Sequence, residues 1–200
     1  MKAVSRLLVF CMSLLLAGAL QAQQIDAQFG ISGINAPSAT NFNPNSTDHS
    51  PQSLSGGVYP GFAADFLVWH NLGFNGEISW KASQGLYAGT YGYRPILYDF
   101  NAVYAKKVSR VGFALMGGLG AESIRFYSPS FAQCNGIGQC TTYVSSNHLL
   151  GHVGGALRLY ATHSVYIAPE IHFYAIHNNL EFTSDRAIRY GLNIGYTFGR

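Results

Sequence analysis

AIRYGLNIGYTF, residues 187–198, divides into two sets of side chains that alternate without a break. Ile188, Tyr190, Leu192, Ile194, Tyr196 and Phe198 are large and apolar or aromatic, whereas Arg189, Gly191, Asn193, Gly195 and Thr197 are small or polar. A repeat of two puts successive side chains on opposite faces of an extended chain, so this segment predicts a β-strand with one greasy face.

The same alternation recurs upstream. Ile25, Ala27, Phe29 and Ile31 oppose Asp26, Gln28, Gly30 and Ser32. Phe74, Gly76, Ile78, Trp80 and Ala82 oppose Asn75, Glu77, Ser79, Lys81 and Ser83. Together with the closing segment, residues 24–35, 58–69, 74–83, 96–104, 111–122, 148–159 and 165–174 give eight predicted strands. Pro169 falls inside the seventh, where it removes a ladder donor and predicts a bulge or gap. The connections alternate in length. Residues 36–55, 84–95, 128–146 and 177–185 are long and rich in Pro, Asn, Ser, Gly or Tyr, while 70–73, 106–110 and 162–164 are short. An even number of antiparallel strands, with short turns at one rim and long loops at the other, is the plan of an up-and-down transmembrane β-barrel. Strands of about ten residues cross a bilayer at a tilt of ~45°. Closure is compulsory there, because an open edge in lipid leaves backbone groups unpaired.

The first residues set the compartment. Lys2 and Arg6 precede an apolar run over 7–16, and Ala17-Gly18-Ala19 and Leu20-Gln21-Ala22 offer small-residue cleavage sites. That is the layout of a secretory signal peptide over 1–22, too short for the ~20 residues of a membrane helix. One barrel domain then occupies 23–200. Only 10% of residues are charged, 14% are aromatic and there are 23 glycines, against a soluble norm of about 25% charged. Such a chain would cover a wet surface poorly and suits an exterior that touches lipid. The formal net charge of +3 includes Lys2 and Arg6, so the mature chain is near neutral and no nucleic-acid partner is expected.

The remaining cysteines of the mature chain, Cys134 and Cys140, lie in one long loop. In an oxidising compartment they predict a disulfide closing a small loop. The slender, polar face should line the bore. It carries Asp65, Glu77, Asp99, Glu122 and Glu170 with Lys81, Arg158 and Arg189, and His152 and His172 lie among them. Isolated ions are costly in so narrow a space, which predicts a charge network pairing across strands and plugging the interior. His148 and His152 are too far apart along a strand, at roughly 13 Å, to share an ion. No metal site and no cofactor is expected.

With its eight strands and the closing segment Tyr190-Gly191-Leu192-Asn193-Ile194-Gly195-Tyr196-Thr197-Phe198, the chain resembles the OmpA-type, OmpX-like family of eight-stranded outer-membrane barrels. The resemblance covers nearly all of the mature chain. It implies an outer-membrane location, and terminal aromatics Tyr196 and Phe198 that are read as an assembly signal. The implied partners are outer-membrane lipid or lipopolysaccharide, periplasmic chaperones and the barrel-assembly machinery, with the barrel itself a monomer. Some small barrels of this kind modify lipid A, using a His and a Ser two residues later. Here His172 is followed at that spacing by Tyr174 and His177 by Asn179, while His163 and Ser164 are adjacent and face opposite sides. Eight strands also enclose no wide pore. The expectation is therefore a non-enzymatic structural or surface-interaction protein, with recognition seated in the long loops; a lipid-modifying enzyme and a narrow gated channel are the alternatives.

Overall fold

In the computed structural model the described residues are 24–36, 53–87, 91–134, 140–179, 181–182 and 185–199. The expected signal peptide, and most of the 36–55 loop, lie outside them. Alternating bulk builds a single wall of eight long strands: β1 (Gln24–Asn35), β2 (Tyr59–Trp69), β3 (Leu72–Trp80), β4 (Tyr91–Val108), β5 (Val111–Tyr127), β6 (Tyr143–Tyr160), β7 (Val165–Ile176) and β8 (Arg186–Phe198). Each pairs antiparallel with its chain neighbours, and β1 returns to β8 from Ile25 opposite Phe198 to Asn35 opposite Ile188. The cylinder is closed, so no long strand is left with a free edge.

The two faces separate as their chemistry requires. Leu192 and Ile194 are 51% and 63% exposed on the exterior, while Arg189 and Asn193 are 1% and 7% exposed inside. Phe29, Phe62, Phe74, Phe100 and Val153 join the outer belt, and Asp26, Asp65, Glu122 and His172 are fully buried in the bore. A water-soluble barrel would have the reverse arrangement. An exterior of bare Phe, Leu and Ile is stable only against hydrocarbon.

At one rim the hairpins are tight. Trp69 pairs with Leu72 across His70 and Asn71, whose φ angles are 43° and 74°. Two left-handed residues make a two-residue turn whose hand matches the right-handed strand twist. Val108 pairs with Val111 across a second two-residue connection, in which Ser109 alone is left-handed, at φ 58°. At the third, the Thr162 hydroxyl accepts from the Ser164 and Val165 amides.

Several expectations change at the opposite rim. β4, β5 and β6 run for 18, 17 and 18 residues rather than about ten. They take over part of the expected 84–95 and 128–146 loops, since Gly85–Tyr87 forms a short strand on Tyr91 to Tyr93 and β6 begins at Tyr143. Cys134 and Cys140 are bonded, with Cα atoms 4.0 Å apart, and flank a small two-stranded sheet of Gln133–Cys134 and Cys140–Thr141. At Pro169 the β6–β7 pairing passes from Ile167–Leu159 to Glu170–Ala156 with its register unchanged, so the proline leaves a gap and not a bulge. The register shift falls instead between Leu67 and Trp69, beside the first tight turn.

The interior also departs from a uniformly ionic filling. At the long-loop rim Tyr59, Tyr93, Leu97, Ile124 and Leu150 point inward and bury Leu54 and Phe182, which fold in from the connections. At the tight-turn rim Leu67, Val103, Met116, Tyr160 and Tyr166 form a second apolar cluster. Most of the polar groups lie between them and are buried.

Candidate functional site

The bore is filled in levels. Nearest the tight turns, Arg158 on β6 reaches the opposite wall. Its Nη1 donates to Asp26 Oδ2 at 2.7 Å and its Nη2 to Asp65 Oδ2. Asp65 also accepts from Asn75 Nδ2 at 2.6 Å and Gln28 Nε2 at 3.3 Å, and Asp26 accepts from Gln24 Nε2. One guanidinium thus bridges two carboxylates, and amide donors take up their remaining lone pairs.

In the middle, Arg189 Nη2 pairs with Glu77 Oε1 and lies 3.2 Å from Glu170 Oε1. The other oxygens of these carboxylates face His172, with Glu170 Oε2 3.2 Å from its Nε2 and Glu77 Oε2 3.8 Å from its Nδ1. Asn193 Nδ2 donates to Glu170 Oε2 at 2.5 Å. His172 Nδ1 meets His152 Nε2 at 2.8 Å, and His152 Nδ1 meets Asn101 Oδ1 at 2.7 Å. Asn101 Nδ2 then donates to Asn75 Oδ1 at 2.8 Å and Asp99 Oδ1 at 2.5 Å. The result is a hydrogen-bonded chain that passes around much of the wall, from Asp65 on β2 through β3, β4 and β6 to His172 on β7. The two imidazoles are nearly parallel, 13° apart, with centres 4.9 Å apart. Gly154 makes room for them: a Cβ there would stand 2.7 Å from His172 Nδ1 and 2.9 Å from His152 Nε2.

Toward the long loops the expected ions part company. Lys81 donates to the Tyr93 hydroxyl at 3.1 Å and sits over its ring, and no described carboxylate pairs with it. Glu122 is met by Asn179 Nδ2 at 3.3 Å and by no described cation. Of the eight charged residues marked in the sequence, then, the structure joins Asp65 with Arg158 and Glu77 with Glu170 and Arg189. It places Asp99 beside His152 at 3.6 Å and leaves Lys81 and Glu122 to neutral partners. Tyr196 and Phe198 lie on the exterior near the tight-turn rim, with ring centres 4.6 Å apart.

Sequence reading missed Asp26 and the two asparagines as members of the network, although they share the inward parity of Asp65 and Asp99. It also missed a cluster of Ser146, His148 and Glu181. Ser146 Oγ lies 3.1 Å from His148 Nε2 and donates to Glu181 Oε1, while Glu181 Oε2 lies 3.1 Å from the same Nε2. The signal was present as a serine two residues before a histidine, the reverse of the order sought. In a working relay the serine and the carboxylate engage opposite ring nitrogens. Here both crowd Nε2, so the imidazole does not link nucleophile to orienting carboxylate.

No protein-family model matches the chain, and no curated protein matches its sequence. Solved structures match its shape. The attachment invasion locus protein Ail of Yersinia pestis superimposes with a TM-score of 0.56 at 10% identity, over 88% of this chain and 99% of that one. Neisserial surface protein A gives 0.57 at 11% identity, over 88% and 96%. The outer-membrane protein OprG of Pseudomonas aeruginosa gives 0.54 at 10% identity, over 90% and 98%. The fold is that of the eight-stranded outer-membrane β-barrels, the architecture of the OmpA-type and OmpX-like proteins.

Proposed function

We propose that this protein is an integral outer-membrane barrel without enzymatic activity, which holds a rigid contact surface clear of the membrane. The observation that carries this reading is the unequal height of the wall. The β3–β4 ladder ends at Trp80–Ile96 and the β6–β7 ladder at Leu150–Ile176, yet β4, β5 and β6 continue to Tyr91, Tyr127 and Tyr143. At ~3.3 Å per residue that is an extension of about 20 Å. Its upper rungs are stiffened by packing of the Tyr127 and Tyr143 rings at 5.8 Å and by Arg125 over the Tyr143 ring at 5.0 Å. Its tip is pinned by the Cys134–Cys140 bond. Rigid scaffolds that present polar and aromatic groups are suited to recognition. The name of one structural neighbour, an attachment protein, agrees with a role in adhesion or ligand contact.

The apolar belt supports insertion among outer-leaflet lipid or lipopolysaccharide, and Tyr196 and Phe198 at the closing strand support delivery by periplasmic chaperones and the barrel-assembly machinery. A monomer is expected, since the closed wall leaves no edge to pair. The shared Nε2 of the Ser146 cluster favours a structural over a hydrolytic role for those residues.

The experiment replaces the 128–142 hairpin by a two-residue Asn-Gly turn in the full chain. Outer-membrane fractions should still give heat-modifiable gel mobility, while cell attachment to surfaces or host cells falls to the level of cells lacking the protein. Unchanged attachment would sink the contact role, and absence of the wild type from the outer-membrane fraction would sink the placement.

A further inference from the structure

The middle of the bore contains an imidazole nitrogen aimed at a carboxylate, and with neutral rings the hydrogen-bond directions make it a lone pair. Asp65 and Asp99 are buried and only accept when ionised. Asn75 therefore points its Nδ2 at Asp65 and its Oδ1 at Asn101. Asn101 in turn spends its Nδ2 on Asn75 and Asp99 and leaves Oδ1 for His152. His152 must donate from Nδ1, so its neutral ring accepts at Nε2, and His172 must donate to it from Nδ1. That assignment leaves His172 Nε2 as an acceptor. It is fully buried, has no hydrogen-bond partner and stands 3.2 Å from Glu170 Oε2. Two acceptors held this close repel unless a proton or a metal cation lies between them.

We infer that Glu77, Glu170 and His172 form a binding site for a first-row divalent metal ion of the zinc or manganese kind. Their ligand atoms all lie within 4.8 Å of one another. Two ligands at ~2.0–2.1 Å from a tetrahedral ion stand about 3.3 Å apart, close to the Nε2–Oε2 separation. An imidazole with two carboxylates suits such ions, whereas calcium and magnesium take oxygen ligands almost alone. The surroundings supply an outer shell. Arg189 holds the Oε1 atom of both glutamates, turning the Oε2 atoms toward His172, and Asn193 steadies Glu170. The chain through His152 and Asn101 fixes the tautomer of the ligating imidazole. A cavity of about 10 Å³ between Ser32, Tyr59, Glu77 and Glu170 adjoins the site, room for one water as a further ligand. The ion would offset a charge excess, because Glu77 and Glu170 share one guanidinium.

The test refolds the full chain into detergent with chelator and with zinc, removes free metal, and measures bound zinc and zinc affinity by calorimetry. Cobalt serves as a visible-absorbance probe of ligand geometry. One equivalent should bind, and Glu170→Gln and His172→Ala should each weaken it at least tenfold. Asn101→Leu, which keeps every ligand but frees the tautomer, should weaken it 10- to 100-fold. His148→Ala, which removes the other histidine–carboxylate pair, should leave it unchanged. Heat-modifiable mobility verifies that each variant forms the barrel. Should His172→Ala fail to fold, nitrogen-15 NMR of wild-type His172 decides. An Nε2 shift that moves on adding zinc supports the site, and a doubly protonated ring at neutral pH, indifferent to zinc, overturns it. Absence of stoichiometric binding, or binding that His148→Ala abolishes and Glu170→Gln does not, overturns it as well.

Discussion

Arg158 is held by two aspartates from the far side of the bore, and its removal strands both. Arg158→Ala should destabilise the barrel by about 3–5 kcal/mol, as for other buried pairs broken on one side, read as a lower urea midpoint for unfolding from detergent or bilayers. Substituting Arg158→Met, Asp26→Asn and Asp65→Asn together should recover most of that loss, because no uncompensated charge remains. On the other face, Leu192→Arg places a charge near the middle of the apolar belt and should cost about 2–4 kcal/mol in lipid, measured the same way. Such positions were legible in the sequence because parity alone assigns them. Which ion meets which was not. Pairing depends on the register and tilt that bring β6 opposite β1 and β2, and Glu122 and Lys81 share the parity of their neighbours while standing at a level where, among the described residues, neutral Asn179 and Tyr93 are their hydrogen-bond partners.

Among the elements, the tight turns are the most local and were read in place, although the expected 70–73 and 106–110 shrink to 70–71 and 109–110 as Leu72, Gly73 and Lys106 to Val108 join the strands. His70 and Asn71 both occupy the left-handed region, which β-branched residues avoid. Asn71→Val should therefore lower stability by about 1–2 kcal/mol while Asn71→Gly is neutral or mildly stabilising, seen in the refolding yield and urea midpoint of the two variants. The long strands were less legible. β4, β5 and β6 continue beyond the apolar belt, and outside lipid the alternation that marks a strand loses its greasy half. Residues 143–146 thus read as loop, and 123–127 were assigned to no strand, although they are hydrogen-bonded rung for rung. Leu54 and Phe182 were hidden for a similar reason. A single apolar residue in a polar connection carries no period, and only the inward fold of its segment buries it.

At the scale of the molecule, strand number and closure followed from the sequence because each strand declared its own faces and the connections alternated in length. The filling of the bore did not, since it is a property of eight walls at once. With Arg158 reaching across one level, Arg189 another, and an apolar cluster including Leu54 and Phe182 near the outer rim, the interior is packed as small barrels are. Planar bilayers holding the refolded chain should show negligible single-channel conductance, and large steady current steps would refute a filled interior. The lopsided wall has a last consequence. Among the described residues the paired wall rises as a parapet and not as a crown, so it offers its rigid edge from a single compass direction. On the other side the ladders stop earlier, β3–β4 at Trp80–Ile96 and β6–β7 at Leu150–Ile176. Antibodies raised against intact cells should accordingly map to the β4–β6 sector, and neighbouring barrels can crowd the opposite flank without blocking it.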